Sequence, residues 1–316
     1  METLTPKELK EKYDTPWITP YEEILTITDT NEEKIELIEY HPCPNGSDWM
    51  ITQYQQTSPL IQEAKRDGNK HTYIVKEGKS ELNLKPSYQA AGIAEAEINE
   101  DTIRIVHEGL AGAGVGAAFC RGKAKGVEKI ELIEKGGGSK VGRAAIITPK
   151  LKKVIIGLDD TDIPTEGATW TLANNVANEI RKEKGYHYLE HITCQLYPDN
   201  PNKTKNCVSI ILVFAVKEDE KEDLIQTLKD KLKEKTLSEN TAFVVYEKME
   251  IPEIVREYAI EAKQSMKYID EAEKIAKDNN IRVECVTGKC GLIGALAALG
   301  LYNKTEEYAK VYTKKE

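Results

Sequence analysis

Long apolar runs are missing from this sequence: no stretch approaches the ~18 consecutive apolar residues that a membrane helix needs. That excludes a helical membrane protein. The N-terminus, METLTPKELKEKYDTPW, has no apolar core of the kind a secretory signal carries, so the chain is expected to be cytoplasmic and to have no membrane partner. Paired cysteines are also missing. None of the six forms C-x-x-C, and the nearest two, Cys285 and Cys290, are separated by four residues with no histidine close by. This excludes a zinc finger or disulfide framework and leaves the cysteines as small packing residues. His187 and His191 lie four apart without a cluster of ligating residues beside them, which gives no metal signature. A basic excess is missing too. Net charge is −9, and residues 1–150 and 151–316 are each acidic on balance. Broad phosphate neutralisation is therefore excluded and nucleic acid is an unlikely partner, although a small basic pocket remains open. Only 3 phenylalanines stand against abundant Lys and Glu, which reads as a charge-laced surface.

What is present fits an ordinary globular chain of 316 residues, 40% hydrophobic and 31% charged, enough for about two domains. Thr148-Pro149-Lys150 reads as the joint between residues 1–150 and 151–316, because Pro149 disfavours helix before it. In the first half EEILTIT, KIELIEY and DWMITQY alternate as strands, SPLIQEAKRDG reads as a short helix closed by Gly68, and HTYIVKEG with KSELNLK reads as a hairpin. TIRIVHE, VEKIELIEK and RAAIITP complete the strands around a Gly-rich GLAGAGVGAAFCRGKAKG. In the second half the strands KKVIIG, HYLEHITCQLYP, CVSIILVFAV, NTAFVVYEK and IRVECVTG alternate with five helical patterns, and YAKVYTKK closes the chain as an edge strand. The fold class is α+β, a mixed α/β chain of two domains, each a mixed sheet with packed helices.

Three segments of the second half carry chemistry. Gly157-Leu158-Asp159-Asp160-Thr161-Asp162 follows an apolar strand. Three carboxylates within four residues repel one another unless a cation joins them, and Mg²⁺ takes one or two carboxylates together with phosphate oxygens. The next helix opens near Gly167 and Thr169, so its first amides face the same strand end and suit a phosphate. The plain alternative is an acidic turn in which Asp162 or Thr165 caps that helix. Next, the loop Pro198–Cys207 sets Lys203, Thr204, Lys205 and Asn206 between two strands, either a clamp on phosphate or a solvated turn. Third, Gly288-Lys289-Cys290-Gly291-Leu292-Ile293-Gly294 links a strand to a small-residue helix, either a backbone cradle or tight packing. It lacks Walker A spacing. Gly112-Ala113-Gly114-Val115-Gly116-Ala117 fits G-x-G-x-x-A, but no acidic residue closes a dinucleotide unit behind it. Arg121, Lys123 and Lys125 just downstream are candidates for contact with an anionic ligand.

In this order GLDDTD, YPDNPNKTKNC, NTAFVVYE, YIDEAEKIAKDNNI and GKCGLIGALAALG resemble the catalytic core of archaeal tRNA-Ile agmatidine synthase, over residues 151–316. The order of an N-terminal domain and this core resembles the methanogenesis marker protein 11 family. The first resemblance implies a kinase-like domain that uses ATP and Mg²⁺ to phosphorylate a carbonyl oxygen. Asp159, Asp160 and Asp162 would hold the metal and, with Thr169 and Lys203, carry the chemistry. Gly157, Thr161, Gly167, Thr171, Lys205, Asn206, Gly288, Lys289, Gly291 and Gly294 would contact the nucleotide. Two departures stand out. Gly167-Ala168-Thr169-Trp170-Thr171 replaces a Gly followed by Cys-Thr-Thr and leaves the phosphate threonine open between Thr169 and Thr171. Lys289-Cys290 replaces Gly-Arg. The chain has no room for the RNA-binding and zinc-ribbon modules of the synthase, so tRNA specificity is not carried over. The expectation is an ATP-dependent transferase or ligase that activates a carbonyl or amide oxygen, on an unknown small molecule or a methanogenic protein, in methanogen cofactor or enzyme maturation. A non-catalytic nucleotide-binding assembly factor is the alternative, and a tRNA-modifying enzyme the third reading.

Overall fold

The computed structural model describes residues 1–312 and divides into two compact units, Met1–Leu151 and Lys152–Glu316. In unit 1, β1 (Glu2–Leu4) precedes α1 (Pro6–Lys12), whose N-cap Thr5 and Glu8 form a reciprocal capping box. β2 (Glu23–Thr28) and β3 (Lys34–Tyr40) form an antiparallel pair.

Three segments differ from their sequence readings. DWMITQY lies in a helix, α2 (Asp48–Thr57), because the Ser47 side chain accepts a hydrogen bond from the Met50 amide and so starts a helical turn. The stretch read as the next helix holds a strand, β4 (Ile61–Asp67), which pairs with β5 (Lys70–Lys76). Gly68-Asn69 is the two-residue hairpin turn between them, with Gly68 at φ +56°, not a helix terminus. The hairpin expected from KSELNLK shrinks to β6 (Gly78–Lys79), which pairs with β7 (Ala91–Ile98).

β8 (Thr102–Leu110) leads into α3 (Ala111–Val115), then a π-helical and a 3₁₀ turn that together span Gly116–Lys123. Here the Gly-rich segment packs on its own strands. A Cβ on Gly142 would lie 2.0 Å from the Gly114 carbonyl oxygen. β9 (Lys129–Gly137) and β10 (Lys140–Asp159) follow. The expected joint at Thr148-Pro149-Lys150 therefore lies inside a strand. Pro149 is tolerated because it occupies the last register position opposite β8, where little more of the ladder needs a donor.

Unit 2 takes the end of β10 as its central strand. α4 (Thr169–Lys184) closes at Gly185 with φ +78°. β11 (His187–Gln195), β12 (Val208–Val216), α5 (Lys221–Lys235), β13 (Ala242–Tyr246), α6 (Glu253–Glu261), α7 (Ile269–Asp278), β14 (Arg282–Cys285) and α8 (Leu292–Leu301) complete it. The strands lie in the order β11-β12-β10-β13-β14, each pair antiparallel. Its first six elements trace β-α-β-β-α-β, a ferredoxin-like topology. The period of two along β10 sorts the core. Val154, Ile156 and Leu158 pack with Ala173, Val176, Leu224 and Leu228 of α4 and α5. Ile155 faces the opposite cluster, with Val255, Tyr258, Leu296 and Leu299 of α6 and α8. Residues 308–312 of the expected terminal strand are not strand, and the remainder lies outside the described residues. Among the described residues no helix is long and apolar enough to cross a membrane.

Candidate functional site at the end of the central strand

Alternation along β10 turns Gly157 and Asp159 toward α8. Gly157 lets the helix rest on the strand backbone, since a Cβ there would lie 2.0 Å from the Ala295 carbonyl oxygen. Gly294 does the same for Asp159: a Cβ on Gly294 would lie 1.8 Å from Asp159 Oδ2 and 2.5 Å from Ser209 Oγ. Burial pushes the Asp159 carboxyl up to about 7, and the neighbouring Asp160 and Asp162 carboxylates add to the rise. The Ser209 hydroxyl and the Asp160 amide oppose it. Ser209 is fully buried, and its hydroxyl finds no partner of full hydrogen-bond geometry among the described residues. Asp159 has no lysine or arginine partner among them either.

The next two aspartates turn elsewhere. Asp160 has φ +64°, a left-handed conformation that Asp adopts more readily than most residues. Its carboxylate accepts from Ser238 Oγ at 2.9 Å, and its carbonyl oxygen accepts from Thr241 Oγ1 at 2.6 Å. Burial raises this carboxyl as well. Asp162 accepts from Thr169 Oγ1 at 2.9 Å and from Thr204 Oγ1 at 3.1 Å, so it joins the α4 terminus to the basic loop. The Thr161 amide donates to Thr169 Oγ1 at 3.2 Å. The three carboxylates thus diverge. Among the described residues no three His, Cys, Asp or Glu side chains gather as a ready metal cage.

The two candidate threonines separate. Thr169 is buried and bonded to Asp162. Thr171 is exposed and lines a cleft of about 230 Å³ together with Thr161, Gly167, Leu172, Lys235 and Leu237. Gly167, at φ +96°, sits against the Asp162 side chain, where a Cβ would lie 2.9 Å from Asp162 Cβ. The Ala168 N-cap supplies no side-chain bond to α4, so the first amides of that helix lack a side-chain cap.

The basic loop reaches the site through Thr204. Lys203 Nζ donates to the Pro198 carbonyl oxygen within the loop, whereas Lys205 and Asn206 are exposed. The start of the loop is anchored from below: buried Lys263 donates to the Gln195 carbonyl oxygen at 2.7 Å. Lys289 turns away to Glu273, at 2.8 Å. Gly288 and Gly291 pack on the backbone of residues 239–240, and a Cβ on Gly291 would lie 2.8 Å from the Asp159 carbonyl oxygen. The late glycines therefore seat α8 on the strand end. In unit 1, Arg121 is buried and paired with Glu39, and Lys123 donates to the Tyr13 carbonyl oxygen at 2.6 Å, so neither is free for an anionic ligand.

Sequence reasoning missed Ser209, Ser238 and Thr241. Ser238 and Thr241 meet Asp160 across 78 and 81 residues of chain, and no local pattern marks them. A divalent cation would find Asp159, which no lysine or arginine of the described residues neutralises, beside the Ser209 hydroxyl, with the Asp162 carboxylate near it but engaged by Thr169 and Thr204. Phosphate oxygens and water would have to supply the remaining ligands, as they commonly do for Mg²⁺.

Residues 155–221 match the family model described as the TiaS TCKD domain. Over 158 residues the chain is 35% identical to the tRNA 2-agmatinylcytidine synthetase TiaS of Pyrococcus horikoshii, covering 48% of this chain and 37% of that protein. The Thermococcus sibiricus TiaS is 30% identical over 151 residues, 47% of this chain and 35% of the relative. The chain thus spans little more than a third of the length of these synthetases. A crystal structure of TiaS in complex with its isoleucine tRNA and ATP aligns with 47% of the chain and 36% of its own at 25% identity and a TM-score of 0.42. These relatives overturn the expectation that nucleic acid is an unlikely partner: the matched segment occurs in enzymes named for an isoleucine tRNA. A net charge of −9 averages over the whole chain and does not report on one face of it. Over 281 residues, 89% of this chain and 93% of the relative, the sequence is 50% identical to the uncharacterized protein MJ0921 of Methanocaldococcus jannaschii, and the chain belongs to that protein's family, with a TiaS-related segment in its second unit.

Proposed function

We propose that unit 2 binds ATP with Mg²⁺ at the end of β10 and transfers a phosphoryl group to a carbonyl oxygen of an acceptor, with RNA as the acceptor class. The observation that carries this reading is Asp159, a half-buried carboxylate at a strand end, packed against Gly294 and Ser209, with no lysine or arginine of the described residues beside it. Phosphorylation turns a carbonyl oxygen, a poor leaving group, into phosphate that an amine can displace. The metal would be held by Asp159 and Asp162 and would neutralise charge on the transferred group. Asp160, engaged by Ser238 and Thr241, fixes the turn that presents them. The amides at the start of α4, from Thr169 onward, favour a phosphate through the helix dipole. Thr169 and Thr204 hold Asp162 in place, and Lys203 and Lys205 are the cations nearest in sequence to a phosphate clamp. Methanogen enzyme or cofactor maturation, suggested by the methanogenesis marker resemblance, enters this reading as a physiological setting and rests on domain order alone. The test is calorimetric titration of the whole chain with ATP, with Mg²⁺ and with EDTA, repeated for Asp159→Asn. Binding should need Mg²⁺ and be lost in the variant; equal affinity with EDTA contradicts the reading.

A further inference from the structure

Beside Thr169, on the side of α4 that faces β11, stands an indole that packing leaves uncovered. Trp170 is 52% exposed although it sits in the first turn of a 16-residue helix, next to a residue that is 5% exposed. Its ring meets the His191 ring edge-on, with centroids 5.7 Å apart at 62°. His191 belongs to β11, the strand that runs into the basic loop, and its Nε2 is buried with no partner among the described residues. One face of a large aromatic ring is thus held in place and left open, one residue from the hydroxyl that bonds Asp162. Aromatic rings held in this way gain most from a second planar ring, because stacking removes apolar area from both without asking for particular hydrogen bonds. The cleft near Thr171 lies on the other flank of the helix, against α5, so the two features are separate.

We propose that Trp170, steadied by His191, is the stacking platform for a nucleobase brought to the strand-end site. The inference rests on the nucleotide reading above and deepens it. A nucleobase can come from two sources, the adenine of ATP or a base of an RNA acceptor, and both offer the same flat heterocycle.

The experiment uses the full chain with Trp17→Phe and Trp49→Phe, which leaves Trp170 as the single tryptophan. Its fluorescence is followed while Mg²⁺–ATP, Mg²⁺–tripolyphosphate and a short single-stranded cytidine RNA are added in separate titrations. Affinities for the three are then compared, by calorimetry, in Trp170→Ala and Trp170→Phe. If adenine is the source, ATP quenches Trp170 and tripolyphosphate does not. Trp170→Ala then weakens ATP about tenfold, Trp170→Phe keeps most of the affinity, and tripolyphosphate binding is unchanged. If the acceptor is the source, the same pattern appears with RNA in place of ATP. Either result supports the platform. Absence of quenching by both, with Trp170→Ala affinities equal to the parent, overturns it even where ATP binds. Failure of the parent to bind ATP or tripolyphosphate sinks the ATP reading instead, and the platform then stands or falls on the RNA arm.

Discussion

The two units treat a carboxylate withdrawn from bulk solvent in opposite ways, one fully enclosed and one half-buried. In unit 1, Glu39 is fully enclosed and is met by the equally enclosed Arg121 through two hydrogen bonds of 2.5 and 2.9 Å. The rings of Tyr21 and Tyr54 lie 4.6 and 4.9 Å from the guanidinium carbon. The charge is answered from within. In unit 2, Asp159 is half-buried, and the groups round it are a serine hydroxyl, an amide and two more aspartates. Burying a charge is costly unless a counter-charge is supplied. The fold provides one at Glu39 and none among the described residues at Asp159, which is why the function proposed above assigns the second to an incoming cation. This is the physical content of reading the first as architecture and the second as a site.

The largest effect expected from breaking this contrast is in unit 1. Arg121→Met strands Glu39 without a partner and should destabilise the chain by about 3–5 kcal/mol, read as a lowered denaturant midpoint. Double replacement, Glu39→Leu with Arg121→Met, should recover much of that loss, since a buried pair contributes little net stability. A double variant as unstable as the single one would count against the argument.

Acid should expose the same unit next. Burial holds His41 and His71 at about 4; at His41 the His71 ring, stacked on it at 4.9 Å, and Arg121 add to the fall, and at His71 Arg121 and Arg66 add to it. Their folded values lie below the unfolded value of about 6.5. The unfolded chain therefore binds protons first as the pH falls. The stability these rings contribute is complete above about pH 6.5 and is lost on descending toward pH 4, by roughly 3 kcal/mol per histidine as an upper bound. Urea melts between pH 7 and pH 4 check the sign, and a flat profile in that window would remove the argument. Glu39 of the same nest sits 3.9 Å from His107 Nε2, which burial keeps neutral.

In unit 2 a single methyl group sharpens the comparison. Gly294→Ala would drive a Cβ into Asp159 and Ser209 and should cost about 1–3 kcal/mol through overpacking, with loss of ATP binding. The smallest stability effect is expected in the loop. Lys203→Ala and Lys205→Ala should stay within about ±0.5 kcal/mol in melting, while a lost phosphate contact would weaken ATP roughly tenfold or more. Unchanged affinity in both makes the loop a solvated turn.

How far the sequence reveals this arrangement depends on distance along the chain. The strand KKVIIG with its aspartates, and the helix closed at Gly185, are legible because alternation, 3.6-residue periodicity and a left-handed glycine act locally. The exchange of α2 and β4 against their readings shows the limit. There Ser47 and Gly68-Asn69 decide the outcome, and a short apolar run suits either state. At the site, aspartates are visible as residues but their directions are not. Asp160 turns to Ser238, Asp162 to Thr169 and Thr204, and only Asp159 faces Ser209 and Gly294. The same applies to Lys289, whose partner Glu273 lies on α7. Thr169 and Thr171 are two residues apart and indistinguishable by type, yet the helix sets one inward and one toward the cleft.

The contrast between a carboxylate answered within the fold and one left for a cation is tested most directly by binding of ATP to the intact chain with and without Mg²⁺. The account predicts that ATP binds with Mg²⁺, that EDTA abolishes binding, and that Asp159→Asn abolishes it with the metal present and the fold intact. ATP binding of equal strength in EDTA, or in Asp159→Asn, would contradict it.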